Sequence, residues 1–455
     1  MKNIFSAKAL CSLLFGLLGV LVLTASCSSN DYVNAIPSTA TAIVKVDATK
    51  LDDKEVVTAF SSLLPKEELV DCGIDWQSDI YAFETIDGNF GLCAKVKSQD
   101  KLSNTFSSLA SKSKCGKLRQ QGDFSFTDIN NAWAVGYSGK SLVVLGPVSA
   151  AALSDAQRSI MRMLRQDEDA SIVSRPIYAK LDSMNSAVSM VAQVQALPEK
   201  FVAPFTIGMP KDADASQVLI AVDFSRDNNI VKMSGETFSF NKSVDAALRK
   251  ADGVYRKIDG DYLGYIPQNC CFGLFANVDG KDYLPLLQSN KSMQTLLVGM
   301  NTAIDFDNIV RSINGDFVMA SSGLFSGNLD MTMFAKVANP TWTADVDYWK
   351  QSCPAGSSIT GTGNAWSYNS SSTNFVFGLS GTTFYVATDK SVNPSAIGPK
   401  PNAISHDIQN LIKGNRMAML LNLSAMSLGG TMPQGFEGIL KPILGNVKAV
   451  VYVMK

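Results

Sequence analysis

Cys27 is the residue whose setting most plainly predicts chemistry. Before it come Lys2, Lys8, an apolar run from about Leu10 to Leu23 and the small residues Thr24-Ala25-Ser26, with no acid among them. A basic start, an apolar stretch and a small-residue cleavage site are the layout of a secretory signal. Residues 1–26 are therefore expected to be an export address and no part of the fold. A cysteine at the first mature position offers its thiol for acylation, and acyl chains such as palmitate hold a protein on a lipid bilayer. Thr24 stands where a lipoprotein signal usually has Leu, so the plain alternative is an ordinary secretory signal ahead of an unmodified Cys27.

The other candidate chemistry is thinner. His406 is the only histidine, which excludes clustered-His metal sites and leaves one imidazole to activate a Ser or Cys nucleophile. It lies beside Asp407 on the polar side of a short predicted helix, a surface position. Gly136-x-Ser138-Gly139 and Gly378-x-Ser380-Gly381 fall between predicted strands, whereas a nucleophile elbow needs Gly-x-Ser-x-Gly between a strand and a helix. Both are read as hairpin turns. Paired carboxylates could cleave a glycosidic bond. The acids available (Glu67-Glu68, Asp167-Glu168-Asp169, Asp345 and Asp347) cluster on helices or loops and read as solvated. Trp366 and Tyr368, in a stretch rich in Gly, Ser, Thr and Asn, are rings of the kind that stack on a sugar. They also sit two apart on a predicted strand, as Phe124 and Phe126 do earlier, and that pattern favours inward packing. None of these groups implies a cofactor.

Without residues 1–26 the chain carries 38 Lys+Arg against 41 Asp+Glu. No basic patch of the kind that tracks phosphates stands out, which argues against a nucleic-acid partner. No later apolar run is long enough to span a bilayer. The length predicts two or more domains. Six cysteines remain beyond Cys11 and Cys27: Cys72, Cys93, Cys115, Cys270, Cys271 and Cys353. Export permits disulfides, but no Cys-x-x-Cys spacing occurs and the adjacent Cys270-Cys271 face opposite sides of an extended segment. Buried free thiols are the simpler reading.

The elements that must position these residues are read twice along the chain. Asp31-Tyr32-Val33-x-x-Ile36-Pro37 returns as Asp261-Tyr262-Leu263-x-x-Ile266-Pro267, and Ile74-Asp75-Trp76 as Ile304-Asp305-Phe306. Ala94-Lys95-Val96 returns as Ala335-Lys336-Val337, and the Gly-x-Ser-Gly turns follow in the same order. The expected domains are a signal (1–26), a lipid-anchored tether (27–30), one repeat unit (31–240), a helical connector (241–260) and a second unit (261–455). Each unit should open with an alternating strand, Ala42, Val44 and Val46 in the first and Phe272, Leu274 and Ala276 in the second. A helix follows (about 53–64 and 281–299), then a hairpin turning at Asp87-Gly88 or near Gly327-Asn328. Three further strands and a helix from Ala150 or Ala403 follow in each copy; the first then continues through a hairpin of strands 217–224 and 230–240, and the second ends on a strand at 447–453. The expected fold is α+β: two tandem copies of one unit, each a mainly antiparallel sheet with packed helices.

The segment Asp31-Tyr32-Val33-x-x-Ile36-Pro37-x-x-Ala40 resembles the opening of an uncharacterised family of Bacteroidetes lipoproteins, a domain of unknown function. The resemblance implies lineage and localisation but no activity. Surface-exported members of such lineages carry an acidic run after the lipid Cys. Here Ser28-Ser29-Asn30-Asp31 holds one acid, so an outer-membrane anchor facing the periplasm is expected. The leading expectation is a non-enzymatic envelope lipoprotein that binds an unidentified protein or glycan partner. The alternatives are a glycan-active hydrolase and a carrier of lipid-like cargo.

Overall fold

The computed structural model describes residues 30–51, 71–197, 199–302, 304–323, 331–371, 373–388, 397–428 and 447–455. Cys27 with its signal, Glu67-Glu68, the helix expected at 53–64 and the turn expected near Gly327-Asn328 lie outside them. The fold is α+β with mainly antiparallel strands. It divides into two compact units: one takes the described residues within 1–40 and 70–178, the other those within 41–69 and 179–455.

Strand β1 (Ala42–Val46) belongs to the second unit. The first unit holds β2 (Ile80–Glu84), β3 (Phe90–Lys95), β4 (Arg119–Gln121), β5 (Phe124–Ile129), β6 (Trp133–Tyr137) and β7 (Ser141–Gly146). They form an antiparallel sheet in the order β2–β3–β7–β6–β5–β4. The β2–β3 hairpin turns at Asp87-Gly88 as expected. Gly88 has φ +76° and the Thr85 amide donates to Asn89 O at 2.9 Å, a geometry that a Cβ would strain. Helix Leu153–Leu164 lays Ala156, Ile160 and Met163 inward and leaves Arg158 and Arg162 exposed. Its approach explains Gly136: a Cβ there would lie 2.6 Å from Ile160. Helix Gln99–Ser111, capped by Ser98, stacks Phe106 on Tyr137 at 5.7 Å.

The second unit continues with β8 (Val188–Gln193), β9 (Leu219–Asp227), β10 (Ile230–Phe238), β11 (Tyr255–Arg256), β12 (Phe272–Asp279) and β13 (Ile313–Ser321). After these come β14 (Met331–Val337), β15 (Ser358–Thr362), β16 (Ala365–Asn369), β17 (Asn374–Ser380), β18 (Thr383–Ala387), β19 (Met417–Asn422) and β20 (Ala449–Met454). One run is β12–β13–β14–β18–β17–β16–β15, the same connectivity as the first unit's sheet with β12 added. The runs β1–β8–β9 and β12–β19–β20 also match each other. β10 joins them, antiparallel to β9 and parallel to β20.

Two particulars depart from the sequence reading. Ala42, Val44 and Val46 do share a face, but the more deeply buried face of β1 carries Ile43 and Lys45. Lys45 is tolerated there because its ammonium donates to Met184 O at 2.9 Å. The helix expected as a connector is Lys242–Asp252, capped by Asn241, and its Val244 and Leu248 are buried in the second unit's main core. The compact units therefore divide the chain elsewhere than the expected repeat units would, because β8–β10 complete the second unit's sheet.

Candidate functional site

The segment that would follow the lipid is built into the first unit's core. Asp31–Ala35 forms a 3-10 turn, closed by the Val33 amide donating to Asn30 O at 2.9 Å. Tyr32, Val33 and Ile36 are buried. The Tyr32 carbonyl accepts from the Cys93 thiol (3.3 Å) and the Ser141 hydroxyl (3.2 Å), and the Tyr32 phenol donates to Asp79 O at 2.7 Å. Ile36 O receives the Ile172 amide at 2.9 Å, and the Ser38 amide donates to Ala170 O at 3.1 Å. Tyr32, Tyr81 and Tyr178 form a chain of tilted rings about 6.1 and 6.2 Å apart. Burial pushes the phenols of Tyr32 and Tyr81 far above the usual range, so both are neutral donors.

The second opening segment is held in the same way. The Ile404 amide donates to Ile266 O and the Gln268 amide to Asn402 O, both at 2.9 Å. Tyr262 stacks on Phe334 with its hydroxyl 3.2 Å from Thr383 Oγ1, and burial pushes its pKa up to about 12. Asp261 forms an ion pair with Lys336 at 2.8 Å, as Asp31 does with Lys140 at 3.4 Å. Beneath the second segment lies Asp316, whose carboxylate accepts the backbone amides of Asp259, Gly260 and Asp261.

The residues singled out for chemistry are placed as follows. Trp366 and Tyr368 are 5% and 8% exposed in the second unit's core. Trp366 meets Trp342 edge-on and Phe377 tilted, while Tyr368 stacks on Phe375 at 5.0 Å. Both rings are taken up by packing and offer no open platform to a sugar. His406 is exposed at the start of helix His406–Ile412. Asp167, Glu168 and Asp169 are exposed, as are Asp345 and Asp347, the latter ion-paired with Lys350. Both Gly-x-Ser-Gly segments turn between antiparallel strands, β6–β7 and β17–β18. All six cysteines of the described body are free thiols, and Cys270 and Cys271 enter different core clusters. Among the described residues no group of three His, Cys, Asp or Glu could hold a metal ion, and no helix is long and apolar enough to cross a membrane.

One charged cluster was not legible beforehand. Glu236 on β10 accepts from Lys180 (2.8 Å) and Arg249 (3.1 Å), and Arg249 also reaches Asp245 at 3.6 Å. Burial opposes ionisation of Glu236, but the two cations outweigh it and hold its pKa below the usual carboxylate value. Asp252, at the end of the same helix, goes the other way: burial dominates over Arg249 and Arg416 and raises its pKa to about 6. The Asp245/Arg249 spacing is a helical signal. The strand-to-helix pairs are not.

A family model described as a domain of unknown function, DUF4836, matches residues 65–416. The chain belongs to the DUF4836 family. The DUF4836 match begins beyond Cys27 and the opening segment, so membership carries no information on the anchor. No curated protein matches the chain in sequence. Crystal form III of TP0453 matches at 9% identity and TM-score 0.30, over 44% of this chain and 76% of that one. Crystal form I of TP0453 matches at 10% identity and TM-score 0.28 over the same shares. Likenesses this slight carry no argument.

Proposed function

We propose that this chain is a lipid-anchored, non-enzymatic protein of the cell envelope, fastened through Cys27 to the outer membrane on its periplasmic side. Its body is a scaffold of two tandem copies of one unit that binds a ligand or partner. The observation that carries the reading is the locking of the opening segment. Only Ser28, Ser29 and Asn30 separate Cys27 from it, about 10 Å of extended chain. An acylated Cys27 would therefore hold the first unit against lipid, since Tyr32 and Ile36 bind that unit's own strands and loops. The duplication is supported by the matched strand orders and by the paired amide-to-carbonyl bonds at Ile36 and Ile266.

The residues with catalytic potential also fit a binding role, because His406 and the Asp167–Asp169 run are solvated while Trp366 and Tyr368 are packed. Labelled palmitate should enter the native chain but not Cys27→Ala, and the variant should leave the membrane fraction. A native amino terminus without acyl chains would overturn the anchor. Capture from detergent-solubilised envelope should then identify the partner. Turnover of a glycan by the purified chain would instead establish an enzyme.

A further inference from the structure

Lys112, Lys114, Lys117 and Arg119 are all exposed and fall within eight residues. The near-neutral total charge conceals them. They run from the end of helix Gln99–Ser111 into β4, the outermost strand of the first unit's sheet. The chain there is pinned from one side. The Gly116 amide donates to Asp128 O at 2.8 Å, the Thr127 hydroxyl donates to Gly116 O at 2.7 Å, and Arg119 sits opposite Phe126. Pinned in this way, Lys117 and Arg119 cannot scatter as they would on a loose loop, and Lys112 and Lys114 flank them in the turn that closes the helix, where the Lys114 amide donates to Leu109 O at 2.9 Å.

Most of the first unit's other cations are engaged differently, while Lys97 and Arg175 are exposed outside this run and Arg162 donates to Ser159. Lys95, Lys101, Lys140 and Arg158 form ion pairs with Asp75, Asp71, Asp31 and Asp155, and Arg165 lies over the Phe124 ring at 5.3 Å. Among the described residues no carboxylate forms an ion pair with Lys114, Lys117 or Arg119. Asp123 is exposed in the β4–β5 turn, and Asp128 is turned against the Gly116 backbone, where a Cβ would collide with its Oδ1.

Lysines on an edge strand often serve only to repel other chains. The second unit supplies the comparison. β15 holds the same place in its strand order, is bonded on one side by β16, and shows no charged residue from Ser352 to Thr362. This edge of the fold does not require cations.

We infer that the Lys112–Arg119 edge is a docking surface for the anionic headgroups of a phospholipid bilayer. The choice of occupant rests on the reading that Cys27 is acylated. Ser141 of β7 holds the Tyr32 carbonyl, and β4 lies three strands from β7, about 14 Å at ordinary strand spacing. Headgroups beside a short tether are thus within reach, and an acyl anchor joined to a basic patch gives the two signals that stable attachment needs.

The test uses the chain from residue 27 with Cys27→Ala, so that docking is read without the anchor. It should bind phosphatidylcholine vesicles containing phosphatidylglycerol, weakly at high salt, and should not bind phosphatidylcholine alone. Replacing Lys112, Lys114, Lys117 and Arg119 by Gln should weaken binding about tenfold or more. The same exchange at the exposed Arg158, Arg162, Lys250 and Lys257 should change it less than about twofold. Should the first variant fail to fold, Lys117→Gln with Arg119→Gln should show about a threefold loss. Equal binding by both quadruple variants, no preference for phosphatidylglycerol, or full competition by inorganic phosphate would each overturn the inference. Selective capture of an acidic protein in place of vesicles would do so as well. Vesicle binding by a chain whose native Cys27 proves unacylated would sink the anchor and leave the docking surface standing; an acylated Cys27 with no vesicle binding would do the reverse.

Discussion

Asn277 donates its side-chain amide to the carboxylate of Asp316 at 2.8 Å, across the antiparallel pair β12–β13. That contact orients a buried acceptor onto the three amides of Asp259, Gly260 and Asp261, which lead into the second opening segment. Asp316→Ala would leave those donors without their acceptor and should cost about 3 kcal/mol. Asp316→Asn, which keeps one oxygen, should cost about half as much. Urea unfolding measures both, and equal losses would mean that the oxygen retained by Asn contributes nothing.

Glu236 and Asp252 should respond to pH with opposite signs. The fold favours the ionised form of Glu236, so its contribution is complete above the ordinary value of 4.5 and is lost as pH falls through its lowered pKa. The fold disfavours ionised Asp252, so stability drops as pH rises from 3.8 to about 6 and the penalty persists above that. Asp252→Asn should therefore stabilise by about 1–2 kcal/mol at neutral pH, after allowance for solvent screening, and the gain should vanish below the ordinary aspartate range. Glu236→Gln should destabilise by about 1 kcal/mol at neutral pH. Denaturant curves at two pH values separate the two variants.

Trp366→Ala should lower unfolding free energy by about 3–5 kcal/mol, because it empties a site walled by Trp342 and Phe377. A cost near zero, with loss of glycan binding, would place the ring at a surface instead.

The two opening segments should tolerate truncation alike. Ile36 and Ile266 are both fully buried, so Ile36→Ala and Ile266→Ala should each cost about 2–4 kcal/mol. A strong effect at one position and none at the other would argue against equivalent roles, and calorimetry of each variant decides it.

Unfolding the Cys27→Ala chain from residue 27 without reductant should expose six titratable thiols, one for each of the free cysteines from Cys72 to Cys353. Burial raises the pKa of Cys93, so reaction in the folded state should be slow there. Fewer than six thiols would reveal a disulfide.

Much of the fold was legible because it depends on local backbone chemistry. Asp87-Gly88 turns where Gly supplies positive φ, the helix expected within 241–260 forms, and alternation marked the strands. The inward packing of Trp366 and Tyr368 was legible through their spacing and their aromatic counterparts Phe124 and Phe126. The Glu236 cluster was not, since Lys180 and Glu236 meet across 56 residues and no periodicity links them. The basic edge was visible as residues but not as an edge, because only the pairing of β4 with β5 makes it the end of a sheet.

By itself the amino-acid sequence determined the mainly antiparallel α+β class, the twice-read opening segment and the turns between strands. These follow from short-range rules: which residues accept positive φ, which cap a helix, and which alternate across a strand. Tertiary structure alone decided that Ile43 and Lys45 lie on the deeply buried face of β1, and that β10 lies between β9 and β20. It also decided that the compact units cut across the boundaries expected from the sequence. Such choices depend on which distant strands share hydrogen bonds, and a strand's own residues do not record the neighbour that satisfies its amides.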